Sequence, residues 1–372
     1  MRAFYSVVLL TGCLSGDDLV VPGSANPGPD PGGVVTPVDP PRLIPQVCGT
    51  RTWPTVEPDA KASDVTVVPT RLGATILAVA SDGGPVRGFR VNLRGEVVGD
   101  PLGTTVLDAA SYTAISAGVL DDRLVVGAVD GDRTTLAIVS DDLTATHELG
   151  QIEGTFLGEA PIMPARDTRI AVVGGPGGVT ASTFGGVQWL PQGSLTITKA
   201  AIQSMTATAY LGDSLIAWST DDNQCHLKRF TAPSETRDMV ACDHVRIAVD
   251  PTSPTTTKTG TLVYEEQGNV MRSQITIEGM WSQFGAHTLV ATGASSPRVV
   301  FDGVRTWISY LDGHGDVIVG FLDAKGGFVS RALIDVRPQH DAYELAYFSG
   351  GVHVVSVSEQ GFGAQRLCVK AL

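Results

Sequence analysis

The sequence is short of positive charge and has no long apolar run. Lys and Arg total 26 against 39 Asp and Glu, a formal charge of -13. That leaves no basic surface to neutralise phosphates, so nucleic acid and anionic lipid headgroups are set aside as charge-driven partners. Nowhere do about 18 consecutive apolar residues occur, so no helix is expected to span a membrane. Cysteine is scarce, at five, and no two form a C-x-x-C pair, which disfavours a metal or redox role. Nucleotide and hydrolase signatures are missing too: there is no P-loop, no G-x-S-x-G elbow and no H-E-x-x-H helix. What is abundant is Gly (43) and Pro (22) among 372 residues, which argues against long helices, while 43% apolar and 17% charged residues support a packed core.

Residues 1–13 read MRAFYSVVLLTGC, with one cation at Arg2, an apolar run and then small residues, the layout of a secretion signal. The run Leu10-Thr11-Gly12-Cys13 resembles the lipobox of bacterial lipoproteins. The resemblance implies cleavage before Cys13, acyl chains on that cysteine, and a location in the bacterial cell envelope. Leu14 after the cysteine points to the outer membrane. Acyl chains contribute about 0.8 kcal/mol per buried CH₂, so several on one residue hold a protein to a bilayer without a spanning helix. Residues 14–47 carry eight of the prolines and read as a disordered tether, with a reach on the order of 100 Å. The expected organisation is a signal over 1–12, a lipidated Cys13 and linker over 13–47, and a folded domain over 48–372.

Within that domain one pattern recurs: an apolar strand, a Gly or acidic turn, and a second strand. The apolar strands include Ile76–Val79, Leu124–Gly127, Ile170–Val173, Leu215–Trp218, Thr261–Tyr264, Trp307–Tyr310 and Val352–Val355. The turns after them begin near Asp82, Asp130, Gly175, Asp221, Gln267, Asp312 and Glu359, a spacing of 45 to 48 residues. A period near 46 with four short strands per unit predicts an all-β, seven-bladed β-propeller of four-stranded antiparallel blades. In the sixth unit the strands fall at 297–301, 306–311, 317–322 and 328–334, each bounded by Gly or Asp.

With Cys13 assigned to lipid, four cysteines remain. The ring model pairs Cys225 with Cys242 across the last hairpin of the fourth blade. It pairs Cys48 with Cys368 if Cys48–Trp53 supplies the outer strand of the seventh, a clasp worth roughly 5–6 kcal/mol in the chain-entropy model. Bridges imply an oxidising compartment.

Candidate chemistry is sparse. The loop Asp312-Gly313-His314-Gly315-Asp316 resembles the calcium loops of integrin-type propeller repeats, with Asp312 and Asp316 as weak ligand candidates, but His314 replaces an oxygen donor. Arg337, His340, Asp341 and Glu344 gather at the entry to the last blade, where a propeller's ligand would sit. No cofactor is implied, and the sialidase box, the WD dipeptide and the kelch Gly-Gly pattern are absent. By analogy with bacterial lipoproteins whose propellers serve in envelope assembly or surface recognition, the expectation is a binding or scaffolding module, not an enzyme. It would be anchored by its lipid and directed at an envelope or surface protein or a glycan. The alternative is an extracytoplasmic hydrolase or lyase using carboxylates at the channel mouth.

Overall fold

A computed structural model describes residues 43–53 and 62–371, apart from short stretches at 81–82, 100–102, 234, 239, 251–256, 279–280, 333–336, 339–341 and 359–360. The signal segment, Cys13 and the linker up to residue 42 lie outside the described residues, as do His340 and Asp341. The described residues contain strands and turns and no helix.

The strands form antiparallel meanders. Four sheets are four-stranded; one has a split first strand; an eight-stranded sheet is two blades joined through the long strand Thr104–Leu120. The early half of that strand pairs with Gly84–Asn92 as the outer strand of the first blade, and its later half pairs with Arg123–Asp130 as the inner strand of the second. The described strands thus make seven blades. Among the described residues the buried apolar side chains fall into seven clusters, each lying between consecutive blades. One of them packs Ile76 and Phe89 of the first blade, and Trp53 just after the outer strand of the last, against Phe348, Val355 and Val357 of the last, which closes the ring.

Burial explains the composition of the repeat. Second strands are sandwiched on both faces, so Asp213–Thr220 is buried at every position and its sequence does not alternate. Fourth strands lie at the rim, and Leu190–Thr198 is exposed over most of its length. The turns between second and third strands sit where the period placed them, at 130–133, 175–178, 220–225, 266–269 and 311–317; Asp82 and Glu359 fall outside the described residues. Gly178 closes one of these turns at φ +105°, and a Cβ there would lie 2.0 Å from the Thr198 carbonyl oxygen, so only glycine fits. The Gly174–Gly178 run is therefore a turn.

Three details differ from expectation. The outer strand of the seventh blade begins at Leu43, not Cys48, and runs to Thr52 beside Gly361–Ala371. Its register is broken by a bulge between Val47 and Gly49, so Cys48 has no opposite residue and Cys368 faces Gln46. Cys48 and Cys368 are free thiols rather than the expected bridge, although their side chains meet, and the Cys48 sulfur lies 3.6 Å from the Arg366 carbonyl oxygen. Cys225 and Cys242 are bonded, with Cα atoms 5.5 Å apart, but Cys242 lies beyond the fourth strand Thr236–Asp238; the residue opposite Cys225 is Asp238.

Candidate functional site

Counting strands outward from the axis, the turns joining first to second and third to fourth strands share one face, here the lower. The second-to-third turns and the links between blades share the upper face. First strands start at the upper face, and five of them carry a register shift just after they start: before Asp64, Ala114, Ser204, Arg246 and Arg298. Such bulges re-aim the side chain that follows. In the third blade the first strand is interrupted between Leu157 and Met163, and Glu159 lies in the gap. Gly158 permits this: a Cβ there would sit 2.8 Å from the Ala207 carbonyl oxygen of the fourth blade, an acceptor that the Glu159 N–H reaches at 2.9 Å.

Asp64, Glu159, Arg246, Arg298 and Glu344 come from five different blades yet act on one another electrostatically, as only the ring axis allows. Each carboxylate is also held by main-chain donors. Asp64 accepts from Val65 N–H and, across the blade boundary, from Ile115 N–H, both at 2.9 Å. Glu159 accepts from Ile247 N–H of the fifth blade at 3.0 Å. Glu344 accepts from Leu345 N–H at 2.9 Å and lies 3.7 Å from Arg298 Nε. Beside them Glu265 accepts from Ser296 N–H at 2.6 Å and pairs with His244 at 3.1 Å. Both His244 and Ser296 hold positive φ, near 50°, a backbone state uncommon outside glycine that concentrates at functional sites.

The electrostatics follow from enclosure. Burial raises the Asp64 carboxyl above its ordinary range against the pull of the Ile115 N–H and Arg298. It pushes Glu159 up to about 7, and it lowers Arg246, whose guanidinium also feels Arg298. Glu159 keeps solvent access while protein surrounds it, so the axis is a wet channel, not a dry core. The His244 imidazole is raised by its bond to Glu265, and Glu265 is lowered because His244 and the Ser296 N–H outweigh its burial.

Of the residues picked out from sequence, Glu344 belongs to this cluster. Arg337 does not: it forms an exposed ion pair with Asp316, Nη2 to Oδ2 3.2 Å, because its link reaches back to the upper turn of the sixth blade. Asp312 accepts from the N–H groups of His314 and Asp316 at 2.9 and 3.0 Å, so it braces the turn while Asp316 serves Arg337. Among the described residues no group of three or more His, Cys, Asp or Glu converges as metal ligands. His226 stacks on Trp218 and His244 joins Glu265, so the two histidines flanking the bridge have separate partners. Sequence reading missed Asp64, Glu159, Arg246 and Arg298, and also a chain in which Tyr264 Oη meets His287 Nδ1 at 2.6 Å and His287 Nε2 meets Asp238 Oδ2 at 2.8 Å. That chain ties the rim of the fourth blade to the buried Tyr264 of the fifth.

No protein-family model matches the sequence, and no curated protein matches it. In fold the chain is similar to the WD40 domain of Toxoplasma gondii coronin, with TM-score 0.56 and 11% identity over 89% of this chain and 87% of that one. It is likewise similar to hydrazine synthase of Kuenenia stuttgartiensis, with TM-score 0.57 and 11% identity over 88% of this chain and 99% of that one. At such identities the likeness is one of fold, a β-propeller, and a fold carries no single chemistry.

Proposed function

We propose that this chain is an exported, lipid-anchored β-propeller that binds an envelope or surface protein, or a glycan, on its upper face, and that it serves as a scaffold rather than a catalyst. The observation that carries the reading is the channel end itself. Asp64, Glu159 and Glu344 are locked by main-chain N–H groups from their own and other blades, with arginines beside them. A mouth so braced is preorganised for recognition. The upper turns around it add Asp132, Asp221 and Asp222, all exposed, so the partner is expected to present cationic or hydroxyl-rich groups.

Cross-linking on intact cells tests this. A discrete adduct lost on replacing Arg246 and Glu344 supports it; adducts unchanged by those replacements oppose it. Anchoring has its own test: Cys13→Ala should release the chain from membranes, and a fully processed, membrane-bound variant would contradict the lipid.

One observation favours the alternative hydrolase or lyase. Glu159, near neutrality, is poised to exchange a proton, as a general acid or base must be. Under that reading the wild type turns over an envelope polymer and Glu159→Gln abolishes the turnover; under the binding reading neither protein turns one over.

A further inference from the structure

The two faces of the ring differ in chemistry. Turns of folded domains are usually polar, yet the lower turns expose large apolar side chains. Leu72 (77% exposed), Leu211 and Val304 (73%) occupy first-to-second turns; Leu93, Val187 (81%) and Leu190 occupy or adjoin third-to-fourth turns. Among the described residues no large apolar side chain is exposed in the upper turns, which carry Asp132, Asp221, Asp222, Asp312 and Asp316 instead. The lower turns carry charge of both signs, Arg71, Arg94 and Arg166 beside Asp121, Asp122, Asp141, Asp142, Asp302 and Asp323, so it is the exposed apolar side chains and not charge that set this face apart.

The polypeptide enters the ring on the same face. Leu43 opens its strand opposite Ala371, at the lower end of Gly361–Ala371, so the 42 residues that precede it join the propeller beside the apolar turns. Resting on the proposed lipid at Cys13, we infer that the lower face docks on the surface of the bilayer that holds the anchor, leaving the acidic upper face and channel mouth turned away from it. Isolated leucines and valines at turn tips insert at the headgroup boundary, and the anchor supplies the local concentration that makes these weak contacts count.

The test separates docking from anchoring. The chain from Cys13 onward, with an N-terminal polyhistidine tag in place of acyl groups, is held on vesicles of phosphatidylethanolamine and phosphatidylglycerol containing nickel-chelating lipid. Amide hydrogen exchange is then compared with that of the free protein. Docking predicts that exchange around 70–73, 210–213 and 302–305 slows by about five-fold, while 130–133 and 220–225 are unchanged. The Leu72→Ser, Leu211→Ser, Val304→Ser variant should lose the slowing while keeping its circular dichroism. Equal effects on both faces, slowing confined to the upper turns, or slowing that survives the triple replacement would overturn the inference. Mass measurement of Cys13 from cells reads the anchor independently: an unmodified cysteine would refute the lipid whatever the vesicles show.

Discussion

The carboxylate of Glu159, in the third blade, accepts the N–H of Ile247 in the fifth at 3.0 Å. It thereby spans past the fourth blade and ties the channel across its mouth. Enclosure holds Glu159 at about 7, above its ordinary 4.5. A carboxyl raised on folding stabilises fully below its unfolded value and loses that contribution as pH climbs through the folded one. Glu159→Gln, which keeps an acceptor for Ile247, should therefore melt with the wild type at pH 4 and above it at pH 8. A variant less stable at pH 8 would contradict this.

His353 runs the opposite way. It is buried against Phe348, with ring centroids 4.0 Å apart, and its Nδ1 lies 3.1 Å from the Gly351 carbonyl oxygen. Burial holds its pKa at about 4, down from 6.5, so the neutral ring is favoured. Its contribution is complete above pH 6.5 and is lost as pH falls toward 4, up to about 3 kcal/mol. His353→Phe should flatten denaturant stability across that window; an unchanged pH slope would refute the assignment.

The sulfur chemistry is also testable. Non-reducing peptide mapping should return Cys225 linked to Cys242 and both Cys48 and Cys368 as free thiols; a Cys48–Cys368 peptide would contradict their free state. Burial, reinforced by Cys368, pushes the Cys48 thiol up to about 11, which keeps it slow to react near neutral pH. Cys242→Ala should cost about 3 kcal/mol in urea unfolding, since the bridge closes a short loop.

Closure of the ring depends on Trp53. Its ring meets Phe89 edge-on at 5.5 Å and its indole N–H donates to the Gly95 carbonyl at 2.9 Å, between the last-blade strand and the first blade. Trp53→Ala should lower stability by about 3–5 kcal/mol, with hydrogen exchange rising first in the first and seventh blades. A uniform change across all blades would count against a closing role.

These contacts also explain what could be read from the chain alone. The period was legible because second strands are buried on both faces and show as unbroken apolar runs, each followed by a glycine or an acid at the upper turn. In the sixth blade the fourth strand ends at Ala332, near the expected 334. The channel residues were hidden because each is one charged position at the head of a first strand, Asp64, Arg246 and Arg298 placed by a bulge and Glu159 by a break in the strand, neither of which leaves a mark in composition. Their signal is the period again: Asp64, Glu159, Ser204, Arg246, Arg298 and Glu344 recur near the start of successive first strands, and only alignment of the repeats on those strands would have joined them. The residue opposite Cys368 was missed for a related reason, since one extra residue in a strand shifts every partner beyond it and sets Gln46 there.

The account's central claim is that partners are recognised on the upper face while the lower face meets the membrane. A photo-cross-linking side chain placed in intact cells at Asp222 on the upper face, and separately at Leu211 on the lower, tests this most directly. The account predicts a discrete protein or glycan adduct from position 222 and phospholipid adducts from position 211. Protein adducts from 211 with none from 222 would contradict it.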